Sequence, residues 1–109
     1  MNEDSTLRGA TLSLDVDHYK TTLTKSKVTE LIDTLETLLE DDEMLNANKY
    51  KIIGEILEEV TEDKFESYAD KVEIGGLEAG ITRFKEGKRV SKPNEFISVL
   101  IKVLERQKF

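Results

Sequence analysis

The sequence predicts a mainly α-helical fold, a compact packing of four to five short helices with a β-strand or hairpin at the N-terminus. Apolar residues recur at helical spacing along most of the chain, and the most apolar stretch, residues 92–107, is long enough for about four helical turns. Only residues 10–16 alternate apolar and polar side chains as a strand does. We expect a flexible N-terminus over residues 1–9 and a single mainly helical domain over residues 10–109, since 109 residues suit one domain.

The predicted strand requires a pairing partner. Its apolar face consists of Leu12, Leu14 and Val16. Because a lone strand leaves backbone N–H and C=O groups unpaired along its edge, we expect it to pair with another segment. Three alternatives are open: residues 19–23, residues 88–90, or the same strand of a second subunit. In the third alternative, Leu12, Leu14 and Val16 form a self-association strand and the protein is a homodimer.

Apolar spacing and capping residues predict five helices. Their ranges and boundary residues are 25–40 after Thr24, 47–60 after Asn46, 62–72 after Thr61, 76–86 ending before Gly87, and 92–107 after Ser91. Glycines at positions 75, 76 and 80 argue against a stable helix around the start of the fourth range, because glycine weakens a helix interior. In the third helix, Phe65, Tyr68, Ala69 and Val72 have the spacing of a buried face.

The last predicted helix is expected to contribute most to the core. Pro93 suits its first turn, because the proline ring already has a helical φ angle. Ile97, Leu100 and Leu104 lie on one face, with further large apolar residues beside them. Burying each such side chain stabilises a fold by roughly 1.5–3 kcal/mol, so this helix is predicted to be the centre of the packing.

No residue pattern in the chain predicts catalysis. The sequence has no cysteine and a single histidine, His18, which excludes cysteine-based and multi-histidine metal sites. The pair Asp15 and Asp17 resembles the motif of haloacid-dehalogenase-type phosphotransferases, but the chain is too short for their doubly wound sheet. The glycine-rich residues 75–80 lack the lysine of a P-loop and the spacing of a dinucleotide fingerprint. We therefore expect a protein that is not an enzyme and that binds no cofactor or metal.

The sequence also bears on localisation. No apolar run approaches the roughly 20 residues that cross a bilayer. The N-terminus is polar and acidic and lacks a signal-peptide pattern. These features predict a cytoplasmic protein without a membrane partner.

Charge is unevenly distributed along the chain, whose formal net charge is −7. Residues 30–78 contain 16 acids against four lysines, whereas residues 83–92 contain five bases against one acid. Two interpretations of this basic cluster are open: a small contact with phosphate or nucleic acid, or a solvated loop that balances the acidic faces or pairs with them in a neighbouring subunit. The candidate nucleic-acid-binding residues are Arg83, Lys85, Lys88, Arg89 and Lys92.

Residues 77–107 contain a helix, a short basic loop and an aromatic-led helix with a Leu-Ile pair. This arrangement resembles the DnaD-like C-terminal tail of replication-initiation and helicase-loading proteins from Gram-positive bacteria, phages and plasmids. The resemblance implies binding to DNA and replication partners, with Arg83, Lys88 and Arg89 facing the DNA. The chain departs from the family in having Phe96 where tyrosine is usual and in lacking a tryptophan after the last helix. The matching positions are Ile81, Arg83, Lys88, Phe96, Leu100 and Ile101.

Three functional hypotheses follow from the sequence. The first is a small, non-enzymatic protein-interaction or regulatory protein that binds another protein and forms a homodimer. The second is a phage- or plasmid-type DNA replication accessory that contacts nucleic acid through the basic loop. The third is an inhibitor whose acidic helices imitate the DNA backbone and occupy a basic partner.

Overall fold

The structure is a computed structural model that describes residues 21–109, and helices account for most of this part of the chain. The four α-helices are α1 (Lys25–Glu40), α2 (Asn46–Glu59), α3 (Tyr68–Lys85) and α4 (Pro93–Glu105), with a 3₁₀ turn at Glu62–Lys64. The mainly helical prediction is confirmed over these residues. The predicted flexible residues 1–9 and the predicted strand, with Leu12, Leu14 and Val16, lie outside the described residues.

Helix α1 begins and packs as its sequence predicts. The Thr24 hydroxyl accepts a hydrogen bond from the Lys27 N–H at 3.1 Å, which caps the first turn. One apolar stripe along the helix is buried, and the face on the other side carries acidic residues. The buried residues of the stripe are Val28, Leu31, Leu35 and Leu38.

Helix α4 lies at the centre of the packing and contacts α1, α2 and α3. Ile97, Leu100 and Val103 have no exposed surface. The predicted capping role of Ser91 is wrong, because Lys92 is the N-cap residue and makes no capping bond with its side chain. Pro93 fixes the first turn instead, and it has no N–H group that would need an acceptor.

Helix α2 begins one residue earlier than predicted. Asn46 is its first helical residue rather than its cap, and the N-cap residue Leu45 offers no side-chain bond. The entry into the helix is fixed by Asp41, whose carboxylate accepts bonds from the N–H groups of Glu43 and Met44, each at 2.9 Å. Asp41 therefore orders the turn before the helix, and no side-chain bond replaces the cap that the sequence predicted for Asn46.

Between α2 and α3 the prediction of a helix over residues 62–72 is wrong in its first part, because no α-helix covers residues 62–67. The predicted cap Thr61 makes no capping bond, and only the 3₁₀ turn Glu62–Lys64 follows it. Phe65 is extended and buried, and forms an antiparallel bridge with Thr21. Of residues 19–23, the first predicted pairing partner of the strand, residues 21–23 are described, and among these Thr21 alone forms a bridge. Residues 88–90 form no strand within the described chain.

A single 18-residue helix, α3, replaces the two helices that were predicted over residues 62–72 and 76–86. Ser67 starts it, since its hydroxyl accepts a hydrogen bond from the Asp70 N–H at 3.4 Å. Packing of buried residues such as Ile74 and Ile81 outweighs the low helix propensity of the three glycines. This start turns Tyr68 toward solvent, and Ala69 and Val72 are exposed with it, contrary to the buried face that the sequence predicts.

Gly80 marks the close crossing of α3 and α4. A Cβ atom at this position would lie 2.6 Å from Cζ of Phe96, which is a buried residue. Side-chain atoms cannot approach so closely, so only glycine fits without displacing the ring. The glycine that lowers helix propensity is thus required by the packing between the two helices.

A buried carboxylate joins the start of α3 to the end of α4. Asp70 is fully buried and accepts hydrogen bonds from Nε of Arg106 at 2.7 Å and from Nε2 of Gln107 at 2.8 Å. Arg106 also donates to Glu73 at 2.8 Å. A buried charge is tolerated when it is paired and hydrogen-bonded, and Arg106 and Gln107 together do this for Asp70. The network fixes the C-terminal end of α4 against α3.

Candidate functional site

Five basic side chains share the short connection between α3 and α4. We call them the basic loop surface, and they are Arg83, Lys85, Lys88, Arg89 and Lys92. The first two belong to the last turn of α3, and the last immediately precedes α4. All five are exposed. The five predicted nucleic-acid-binding residues are therefore all accessible, but they face different sides of the connection, since Arg83 lies beside α4, Lys85 lies beside α2 and Lys92 lies near the turn between α1 and α2.

The backbone under this surface has a defined turn. Gly87 has a φ angle of 78°, and its N–H donates to the carbonyl of Phe84 at 3.0 Å. The Lys88 N–H donates to the carbonyl of Arg83, also at 3.0 Å. This pair of bonds closes a Schellman motif, in which glycine adopts the left-handed conformation most readily. The prediction that Gly87 ends the helix is confirmed.

An aromatic cluster holds the connection against the core. Tyr50 stacks on Phe84 with ring centroids 4.1 Å apart and meets Phe96 edge-on at 5.6 Å. Its hydroxyl donates a hydrogen bond to the backbone carbonyl of Ser91. Burial raises the pKa of Tyr50, and the negative charge of Glu95 adds to the rise. The neutral phenol is therefore the form that holds the loop.

A second side chain of α2 supports the same connection from the side of α4. Lys49 is buried, and its ammonium group donates to the side-chain oxygen of Asn94 at 3.1 Å. Through their bonds to Asn94 and Ser91, Lys49 and Tyr50 hold the start of α4 against α2. Neither residue was predicted to be buried, because Lys49 is charged and Tyr50 precedes the apolar run of α2.

The charges of the basic loop surface are accessible and only weakly paired. Lys88 forms an ion pair with Glu86 at 3.2 Å, and both side chains are more than half exposed. Exposed pairs of this kind contribute about 0–1 kcal/mol, so they leave the lysine available to an anionic ligand. A loop with five cations can contact a few phosphate groups, with an affinity that falls as salt concentration rises.

A second surface is present along α3, and its composition is unusual for this chain. Every exposed residue of α3 from position 68 to position 82 is uncharged, although 36% of the whole sequence is charged. Tyr68 is 79% exposed and Val72 is 53% exposed. We call this surface the uncharged α3 face, and it comprises Tyr68, Ala69, Val72, Gly76, Ala79 and Thr82.

Gly76 lies in the middle of the uncharged α3 face, and no contact within the described chain requires a glycine at this position. A Cβ atom added there would meet nothing within 4 Å. Glycine in a helix interior costs about 1 kcal/mol relative to alanine. At Gly80 the contact with Phe96 compensates for that cost, but at Gly76 no such contact exists.

The acidic residues lie mainly on other surfaces. On α1, Glu30, Asp33 and Glu36 are exposed. Beside the uncharged α3 face, burial raises the pKa of Glu78, and the neighbouring charges of Glu62 and Asp63 raise it further. Among residues 21–109, no group of three or more His, Cys, Asp or Glu side chains is placed to hold a metal ion.

The uncharged α3 face was not predicted, because the sequence pattern divides α3 into two helices. A signal was present, since Ser67 followed three residues later by Asp70 is the pattern of a helix start. A helix that starts there and turns Ile74 and Ile81 inward must turn Tyr68 and Val72 outward. The predicted self-association residues Leu12, Leu14 and Val16 lie outside the part of the chain that the structure describes.

Comparison with models of known protein families, with curated proteins and with solved structures finds no match for this chain. The resemblance to the DnaD-like tail therefore stays a prediction. In the described part of the chain, no helix has both the length and the apolar character needed to cross a membrane. The function of the chain must be inferred from its two exposed surfaces.

Proposed function

We propose that this chain is a small, non-enzymatic, cytoplasmic regulatory protein that acts by binding another protein through the uncharged α3 face. One observation carries the proposal: the exposed positions along four turns of α3 have no charge, in a chain that is otherwise rich in charge. A solvated helix face in such a chain is expected to carry acids and lysines, as the exposed face of α1 does.

The residues on this face suit a protein partner. Tyr68 offers a large ring with a polar tip, and tyrosine is enriched at protein interfaces. Val72 lies one turn further along the same face, and Gly76 and Ala79 continue it with small side chains. The surface at Gly76 is open, whereas the Glu62 carboxylate lies against the neighbouring Gly75 and borders the face there. Burying Tyr68 and Val72 in an interface removes their exposed apolar surface from water.

Site-specific photo-crosslinking tests the proposal whatever the identity of the partner. The photoreactive residue p-benzoylphenylalanine replaces Val72 in one variant and Thr37, an exposed residue of α1, in a matched control. After irradiation in the source cell, we expect crosslinked protein from the Val72 position well above the level from Thr37. Equal, background-level crosslinking from both positions would contradict the proposal.

A second candidate function is a DNA replication accessory that contacts nucleic acid through the basic loop surface. The favouring observation is that five exposed cations lie on a connection held by the hydrogen bond from Tyr50 to Ser91 and by the Gly87 turn. The resemblance to the DnaD-like tail adds support to this candidate. The acidic remainder of the chain favours a short contact over binding along a long duplex.

Fluorescence anisotropy with labelled single- and double-stranded DNA tests this second candidate. Replacing both Lys88 and Arg89 by alanine should weaken binding and reduce the slope of log affinity against log salt by about 1–2. The matched control replaces Lys25 and Lys102, which are exposed bases outside the loop. Equal salt slopes for the two double variants would exclude the basic loop surface as the nucleic-acid contact.

A further inference from the structure

We propose that the groove between α2 and α3 is a binding site for a small organic anion with a compact apolar body. The groove shares no lining residue with the uncharged α3 face, so this inference goes beyond the proposed function and does not depend on it. It has only Lys85 in common with the basic loop surface.

A cavity of about 350 Å³ lies in this groove. Ligand-binding clefts in proteins have volumes of roughly 300–1,000 Å³, with mostly apolar walls and a few polar groups. The cavity has this composition, because its buried and half-buried lining consists of Gly54, Ile81 and the stacked rings of Tyr50 and Phe84. Charged side chains form the exposed rim. The volume and the lining therefore both suit a small molecule.

Gly54 keeps the floor of the cavity open. A Cβ atom at this position would lie 3.4 Å from Cγ2 of Ile81, which is an ordinary van der Waals contact. The packing of α2 on α3 therefore admits an alanine, although glycine is the weaker helix former. Because Gly54 and Ile81 both line the cavity, a methyl group between them would occupy space that a ligand can use.

The two helices run antiparallel along the groove. Gly54 faces Ile81, whereas Tyr50, one turn earlier in α2, stacks on Phe84, one turn later in α3. Lys51 and Lys85 each follow one member of the stacked pair in sequence, and both line the cavity. The helix pair therefore brings two cationic side chains to the same end of the groove.

The distribution of charge around the cavity indicates the class of ligand. Within the described chain, neither Lys51 nor Lys85 forms an ion pair. An anionic group of a ligand can therefore bind at this end without displacing an existing partner. Glu55 and Glu58 line the cavity further along α2, and Glu78 lines the adjoining part of the groove. These acids disfavour a second anionic group, so we expect one anionic end and an uncharged apolar body.

Anilinonaphthalene sulfonate is a suitable probe, because it joins one sulfonate to an aromatic body and fluoresces strongly in an apolar site. Titration of the folded wild-type chain should show saturable binding. Gly54→Ala should weaken this binding at least about tenfold, because its methyl group fills the floor of the cavity.

Gly76→Ala is the matched control for this variant. It makes the same substitution at a helix position where the added Cβ atom meets nothing within 4 Å, and it should leave probe binding unchanged. Urea denaturation should show both variants to be at least as stable as the wild type, because alanine has the higher helix propensity. A loss of binding in Gly54→Ala then reports on the cavity and not on unfolding.

Combining Lys51→Met with Lys85→Met tests the anionic contact. We expect this double variant to bind the sulfonate at least about tenfold more weakly, because both cations are removed. It should bind the neutral analogue N-phenylnaphthylamine as tightly as the wild type does, since the apolar lining is unchanged. The control pair Lys25→Met and Lys102→Met removes exposed lysines outside the groove and should bind both probes as the wild type does.

Three results would overturn the proposal. The first is the absence of saturable sulfonate binding by the wild-type chain. The second is binding that Gly54→Ala leaves unchanged, since another surface would then hold the probe. The third is an equal effect of the two lysine pairs on sulfonate binding, because the anionic group would then not be recognised by Lys51 and Lys85.

Discussion

Replacing Arg106 by alanine provides a quantitative test of the packing between α3 and α4. Asp70 is fully buried, whereas the Arg106 side chain retains 26% of its exposed surface. The substitution removes the guanidinium group that pairs with the Asp70 carboxylate and leaves Gln107 as its remaining side-chain donor. The substitution therefore leaves the buried carboxylate of Asp70 with one of its two side-chain donors.

The expected effect follows from the cost of an unpaired buried charge. Breaking a buried ion pair by removing one partner destabilises proteins by about 3–5 kcal/mol. Because Arg106 is partly exposed and Gln107 still donates to Asp70, we expect a loss at the lower end of that range, about 3 kcal/mol. For a domain of this size, that loss corresponds to a fall of roughly 12 °C in the melting temperature.

Urea denaturation followed by circular dichroism measures the change in the free energy of unfolding. Glu73→Gln is the matched control, since Glu73 contacts the same guanidinium from a more exposed position, and it should cost at most about 1 kcal/mol. Adding Asp70→Asn to Arg106→Ala should recover part of the loss, because a neutral amide is less costly to bury than an unpaired carboxylate. A loss below about 1 kcal/mol for Arg106→Ala would refute the reasoning.

Two further predictions concern the glycines of α3 and the tyrosine under the basic loop surface. Gly80→Ala should destabilise the fold by about 1–3 kcal/mol, because its Cβ atom would clash with the Phe96 ring. Gly76→Ala should stabilise the fold by about 0.5–1 kcal/mol, because its Cβ atom would meet nothing and alanine has the higher helix propensity; urea denaturation distinguishes the two signs. Tyr50 should ionise at higher pH than a free tyrosine, because burial raises its pKa above 10.0 in the folded protein. The stability that the neutral phenol contributes is therefore fully present below the pKa of tyrosine in the unfolded chain, and it is lost as the pH rises through the pKa of Tyr50 in the folded protein. Alkaline titration by ultraviolet absorbance should show one late-ionising tyrosine that disappears in Tyr50→Phe, and its absence in the wild-type chain would contradict burial of this phenol.

The helices α1 and α4 were predictable because local signals and the core agree. In α1, the Thr24 cap and the spacing of the apolar residues indicate the same boundaries that the structure has. In α4, Pro93 and a broad apolar stripe indicate a helix that is buried on several sides. Where propensity, capping and burial point to the same structure, sequence reasoning is reliable.

Helix α3 was not predictable in the same way, because its glycines are explained by contacts between distant residues. Gly80 is required by Phe96, which lies on another helix, and no local rule reveals that contact. Intrinsic propensity therefore indicated a break where the tertiary packing keeps a continuous helix. The error extended to the function, because a helix divided at the glycines conceals the uncharged α3 face.

The basic loop surface, in contrast, was visible from the sequence as a cluster of charges. Its accessibility was predictable, since lysine and arginine are seldom buried. The support beneath it was not predictable, because Tyr50 and Lys49 reach Ser91 and Asn94 from a helix more than 40 residues earlier in the chain.

A photo-crosslinking scan around α3 tests most directly the claim that this helix binds protein through one face. The photoreactive residue is placed in turn at Tyr68, Val72 and Ala79, which belong to the uncharged α3 face, and at Lys71 and Glu78, which lie beside it. We expect strong crosslinking to protein from the first three positions and weak crosslinking from the other two. Equal crosslinking from all five positions, or none from any, would contradict it.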